Sequence, residues 1–139
     1  MMSSSSLTGG CACGAIRYEF SGAPEASFAC HCTTCQRQAG APMMLYFIAN
    51  ESDGFRFTQG QPKPYTSSEK AQRHFCADCG TPIFFQYNDT PGRFVVSQGT
   101  LDQPNALPPM VHIQTADSPE WYSINDGAPQ FERDYIPPE

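Results

Sequence analysis

Seven cysteines fall into three tight groups: Cys11-x-Cys13, Cys30-x-Cys32-x-x-Cys35 and Cys76-x-x-Cys79. Thiolates two or three residues apart can grip one metal ion together. The simplest arithmetic joins the two pairs. Cys11, Cys13, Cys76 and Cys79 then make the closed four-thiolate shell of a structural zinc. Cys30, Cys32 and Cys35 are left with a second ion and only three ligands, which keeps a fourth position open for chemistry. Spacing alone does not fix the partners. If the triple group borrowed one distant thiol, another three-thiolate site would remain, so an open site survives either way. Iron also suits a four-thiolate shell.

Disulfides are the competing chemistry. Seven is an odd number, a Cys-x-Cys bridge closes a strained ring, and the first residues carry no export signal. Redox use of Cys76-Ala77-Asp78-Cys79 is disfavoured as well. A redox pair opens a helix, whereas Gly80-Thr81-Pro82 follows here and points to a turn between strands. Of the histidines, His31 between two cysteines is either a spare ligand or proton donor, or faces outward. Alternation of side chains in an extended loop favours the outward reading. His74 is expected to bond backbone, and His112 to be packed.

Something must hold these groups in place. The chain has 139 residues, 40% of them hydrophobic, which suits one domain. Thirteen prolines and eleven glycines argue against long helices. Alternation over residues 15–20 turns Ile16, Tyr18 and Phe20 to one side. Residues 27–30 deliver the triple cysteine loop, and residues 33–38 form a helical turn ended by Gly40 and Pro42. The apolar run 43–49 reads as a central strand. Further strands are expected around Phe55 and Phe57 and over residues 70–75, 82–87, 93–97 and 111–113. Asn88-Asp89-Thr90-Pro91-Gly92 is the turn of a hairpin. From Asp102 the tail wraps irregularly, with Trp121 and Phe131 as anchors. The expectation is an all-β domain of about eight short strands over residues 9–139, behind a disordered tail of residues 1–8.

A formal charge of −6 and no basic stripe disfavour nucleic acid as a partner. No apolar run approaches the roughly 18 residues of a membrane helix. The reading is a protein of the cytoplasm, where thiols stay reduced.

Three stretches carry a resemblance. They are Cys11-Ala12-Cys13-Gly14-Ala15-Ile16-Arg17-Tyr18, Cys30-His31-Cys32-Thr33-Thr34-Cys35-Gln36-Arg37, and Phe75-Cys76-Ala77-Asp78-Cys79-Gly80-Thr81-Pro82. With Val111-His112-Ile113 and Trp121 behind them, the chain resembles the glutathione-dependent formaldehyde-activating enzymes over residues 9–131. That family also includes centromere protein V. The resemblance implies a zinc-stabilised β-tent fold. It implies two zinc ions per chain, a structural one on Cys11, Cys13, Cys76 and Cys79 and a second on Cys30, Cys32 and Cys35. It also implies a carbon–sulfur lyase acting on a thiol adduct such as S-hydroxymethylglutathione, made from formaldehyde and glutathione. Arg37, Lys70 and Arg73 are then the candidate partners of glutathione's carboxylates. The alternative is a non-catalytic module with both metal sites structural and residues 36–42 as a partner surface. A methionine sulfoxide reductase of related fold would need a late reactive cysteine, and the last one here is Cys79.

Overall fold

The computed structural model describes residues 6–134. Its strands are β1 (Leu7–Gly10), β2 (Arg17–Phe20), β3 (Ala26–Cys30), β4 (Met44–Asn50), β5 (Phe55–Gln59), β6 (Lys63–Thr66), β7 (Ala71–Phe75), β8 (Pro82–Tyr87), β9 (Arg93–Ser97) and β10 (Val111–Ile113). The single α-helix among the described residues is α1 (Thr33–Ala39). The protein is therefore a small all-β domain. The described chain enters β1 at Leu7, so Leu7 and Thr8 belong to the sheet rather than to the expected tail. Residues 1–5 of that tail lie outside the described residues.

Two sheets form. The smaller has the order β1-β2-β5, and the larger β10-β3-β4-β9-β8-β7-β6. All neighbours run antiparallel except β10 on β3. The expected central strand is third in the larger sheet, and its unbroken apolar run is explained by burial on both faces. Phe47 and Ala49 of β4 face the smaller sheet, where Ile16, Tyr18, Phe20 and Phe55 meet them. Tyr46 and Ile48 face the other way and pack with Cys30, Cys35 and Val95. Strand periodicity thus gives one element two cores. The first core is largely aromatic: ring centroids of Phe55 and Phe94 lie 4.8 Å apart, and those of Tyr18 and Phe55 5.3 Å.

Two strands escaped the sequence reading. β1 contains Gly9 and Gly10, which propensity rules disfavour. Close packing requires the first of them, because a methyl on Gly9 would overlap Thr100 O and the Tyr18 hydroxyl. β6 is fully exposed and carries Lys63 and Pro64. A charge and a proline are tolerated there because β6 is the sheet's edge. Trp121 is not an anchor: it is 76% exposed. Phe131 does hold the tail, through its amide to His112 O (2.8 Å) and its carbonyl to the Thr115 amide (3.1 Å). No described helix is long and apolar enough to cross a membrane.

Candidate metal centres and the cleft beside them

Two turns of similar construction bring the first four sulfurs together. After β1, the Cys11 amide donates to Ile16 O (3.1 Å) and the Gly14 amide to Cys11 O (3.2 Å). After β7, the Cys76 amide donates to Thr81 O (3.0 Å) and the Gly80 amide to Cys76 O (2.8 Å). Gly14 and Gly80 sit at φ 83° and 82°, where a side chain would be strained. The four Sγ atoms lie within 4.8 Å of one another. Cys11 Sγ is 3.6 Å from Cys13 Sγ, which is 3.8 Å from Cys76 Sγ. These separations far exceed a disulfide bond of about 2 Å. They match the roughly 3.8 Å edge of a tetrahedron whose metal–sulfur bonds are about 2.3 Å. The residues present therefore fit a four-coordinate ion.

Thr81 links the two turns. Its hydroxyl accepts from the Ala12 amide (3.1 Å) and lies 3.1 Å from Cys79 Sγ. Hydrogen bonds from the Thr81 hydroxyl and then the Thr81 and Cys13 amides pull the Cys79 thiol down to about 5. A thiol already inclined to ionise is what a cation needs. The Ile16 amide adds a hydrogen bond to Cys11 Sγ (3.3 Å).

The triple group is assembled differently. Cys30 ends β3, Cys32 caps the N-terminus of α1 with its sulfur accepting from the Cys35 amide (3.3 Å), and Cys35 lies in the first turn. Their Sγ atoms also lie within 4.8 Å of one another, and no fourth His, Cys, Asp or Glu ligand atom joins them among the described residues. Cys30 and Cys35 are buried, while Cys32 is half-exposed. Behind Cys35 stand the Tyr46 hydroxyl at 3.5 Å and Arg73 Nη2 at 3.9 Å, with Arg73 Nη1 donating to the Tyr46 oxygen at 3.1 Å. The Cys35 thiol is pulled down to about 5, first by the hydrogen bond from Cys30, with Tyr46, Cys32 and the Arg73 charge outweighing burial. The Cys30 thiol is pushed up in turn by its bond to Cys35 and by burial.

The outward placement expected for His31 is overturned. His31 is completely buried, because β10 and the tail close over the far side of the cysteine loop. Its Nε2 lies 2.9 Å from His112 Nδ1, and His112 Nε2 lies 2.8 Å from Asp126 Oδ2. An ionised Asp126 accepts from His112 Nε2–H, so His112 Nδ1 accepts from His31 Nε2–H. Gln36 secures the same loop by donating to His31 O (2.8 Å) and Asp117 O (2.9 Å). His112 is packed as expected. His74 is not bonded to backbone: it stacks on Phe84 at 4.1 Å, and its Nε2 has no partner among the described residues.

The three candidate cations separate. Arg73 reaches the triple group and lines a cleft of about 300 Å³ together with Tyr46, Met44, Tyr65 and Phe85. Arg37 lies on the last turn of α1, in a different depression with Thr33, Gln36 and Ala41. Lys70 is exposed in the β6–β7 connection, where its carbonyl accepts from the Asn88 amide (2.8 Å). Tyr46 and Asp126 were missing from the sequence reading, whereas Gln36 and Thr81 stood in its motifs without the hydrogen-bonding roles they have here. Nothing local marks Tyr46 or Asp126.

Known proteins resemble this chain. An uncharacterized lyase of Schizosaccharomyces pombe is 24% identical, with 92% of each chain covered. A protein of Halomonas elongata, provisionally named a glutathione-dependent formaldehyde-activating enzyme, is 27% identical over 85% of this chain and 80% of its own. The crystal structure of a Rhodobacter sphaeroides protein superposes with a TM-score of 0.58 at 20% identity, covering 89% of this chain and 98% of that one. That likeness speaks to the fold alone. The model of one family, described as glutathione-dependent formaldehyde-activating enzyme, matches residues 6–117 and so takes in all seven cysteines. By that match the chain belongs to the glutathione-dependent formaldehyde-activating enzyme family.

Proposed function

We propose that this protein makes or breaks the carbon–sulfur bond of a small thiol–aldehyde adduct, of the class that includes S-hydroxymethylglutathione. In the forward sense the S–H bond and the carbonyl π bond are lost, and a C–S and an O–H bond form. The adduct keeps every atom, and no oxidant is required. Cys30, Cys32 and Cys35 would hold a zinc ion at which this happens, while Cys11, Cys13, Cys76 and Cys79 would hold a second, structural zinc. When bound at three thiolates, such an ion supplies a soft Lewis acid that lowers the pKa of an incoming thiol.

The supporting observation is three sulfurs within 4.8 Å of one another with no fourth protein ligand atom among the described residues. The chain's own groups prepare that spot. Tyr46 and Arg73 face the Cys35 sulfur and favour its ionised form. Phe28, Phe85 and Ile113 pack around the group and limit water. Cys32, half-exposed at the head of α1, marks the solvent side. Seven free thiols suit a reducing compartment, which supports the cytoplasm as the place of action.

Elemental analysis beside a thiol–aldehyde turnover screen tests the reading. The purified protein should carry two zinc equivalents per chain. Cys32→Ser should lose one equivalent and at least about a hundredfold in turnover while staying folded. Full turnover with both ions retained in that variant would overturn the assignment of roles.

A further inference from the structure

The cleft beside Cys35 is poorly equipped for glutathione, a peptide with two carboxylates. Among the described residues Arg73 is the one arginine or lysine that lines the cleft, and both terminal nitrogens of that guanidinium are already engaged. Nη1 donates to the Tyr46 oxygen, Nη2 faces Cys35 Sγ and the group lies 5.1 Å above the Phe85 ring, while Nε is buried without a partner among the described residues. A carboxylate entering here would displace one of these contacts or have the single buried Nε–H to pair with, and an underpaired buried charge is costly. Arg37 and Lys70 do not line the cleft. The chain's charge of −6 does nothing to attract an anion.

The walls instead suit an apolar body. Met44, Tyr65, Phe84 and Phe85 offer aromatic and thioether surface, and Gln38, Ser97 and His74 add hydrogen-bonding groups, the His74 imidazole held toward its neutral form by burial and its Nε2 without a partner among the described residues. Tyr65 stands 53% exposed on edge strand β6, a large ring left without a covering partner at the cleft's rim. The volume of about 300 Å³ sits at the small end of ligand sites.

We infer that the thiol half of the substrate is an uncharged aromatic or branched apolar group, seated in the cleft between Tyr46, Tyr65 and Phe85, and that glutathione is a poor ligand. This rests on the carbon–sulfur reading for the reaction but concerns the body that carries the sulfur. The neutral hydroxymethyl end would lie toward Cys35, and the apolar end toward Tyr65.

Two thioethers, which cannot bind as thiolates, separate cleft recognition from metal chemistry. Benzyl methyl sulfide and S-methylglutathione would each be titrated into the zinc-loaded protein, with amide shifts followed by NMR. Benzyl methyl sulfide should bind at least about tenfold tighter, with shifts confined to β4, β6, β7, β8 and the neighbourhood of Gln38 and Ser97. Tyr65→Ala should weaken it about fivefold, whereas Tyr65→Arg, which supplies a free cation, should improve S-methylglutathione. Equal or tighter binding of S-methylglutathione in the cleft would overturn the substrate class, as would failure of both probes to shift it. Neither result would touch the reaction, which the zinc count and the Cys32→Ser turnover decide separately.

Discussion

The two cysteine clusters invert a common intuition about burial. The four-sulfur cluster has two exposed members, Cys13 and Cys79, while the three-sulfur cluster hides Cys30 and Cys35 and shows only part of Cys32. The group with four ligand atoms thus lies near water, and the group with three is set among side chains. What closes a site is its ligand count, not its depth. The surroundings differ too. Around the four sulfurs the hydrogen bonds come from turn amides and Thr81. Around the three, one comes from the Cys35 amide, and the others from side chains of separate strands, Tyr46 on β4 and Arg73 on β7. The sulfurs of the first site sit on two local turns that the fold brings together, and those of the second on one loop whose supporting side chains come from elsewhere in the fold. One can serve as a clamp between the two sheets, while the other can be tuned by residues far away in sequence.

If that contrast is right, the clusters should fail differently. Cys76→Ser should do the most damage. Its ion would join the turn after β1 to the turn after β7, and structural zinc contributes about 10–16 kcal/mol of apparent binding energy, comparable to the whole stability of a domain. Circular dichroism and a loss of amide dispersion should report an unfolded chain, and a strong chelator should do the same to the wild type. A Cys76→Ser protein that keeps a cooperative transition near the wild-type temperature would erase the distinction. Cys32→Ser should come next, losing turnover and one zinc but holding its fold.

The same contrast explains what could be read in the sequence. The turn motifs around Cys11, Cys13, Cys76 and Cys79 announced their own geometry, because glycine at positive φ and paired thiols are local signals. Strand alternation found β2, and an unbroken apolar run found β4, because burial writes a period into the chain. β1 and β6 left no such trace: the one is glycine-rich for close packing, the other an exposed edge with proline. Tyr46 looked like one more apolar residue in a run, and only the pairing of β4 beside β3 sets its hydroxyl against Cys35. His31 was misjudged for a related reason. Alternation correctly turned it away from its cysteine neighbours, but only the folded tail shows that this far side is interior.

That tail sharpens the comparison at an intermediate scale. Asp126 lies beyond the family match, yet it ends the hydrogen-bonded line through His112 to His31 behind the triple group. Asp126→Ala leaves His112 Nε2 without its acceptor, at a cost of about 1 kcal/mol, limited because the carboxylate is part-exposed. The zinc affinity of the three-sulfur cluster should fall about tenfold as the loop loosens, while the four-sulfur cluster keeps its own. Competition with a chelating dye would resolve the two ions. Equal weakening of both would mean that the tail stabilises the domain at large rather than this one loop.

The smallest effect concerns the four-sulfur side and acid. Asp102 accepts from Arg17 on β2 and from the Thr8 hydroxyl on β1 (2.7 Å), pinning the strands that enter and leave the first cysteine turn. The hydrogen bonds from Arg17 and then Thr8 hold its carboxyl below the ordinary value of 3.8. A carboxyl depressed in the folded state binds protons less readily there than in the unfolded chain. Its contribution is therefore complete above that ordinary value and drains away as pH falls through the depressed one. The pair is exposed enough for solvent to screen it, so Arg17→Ala should cost only a few tenths of a kcal/mol at neutral pH. The informative quantity is the slope. Urea unfolding from pH 7 down to pH 3 should show the wild type losing its small advantage over Arg17→Ala in the acid limb. A gap that persists unchanged at the lowest pH would assign the effect to the packing of the arginine stem against Gly10 instead of to charge.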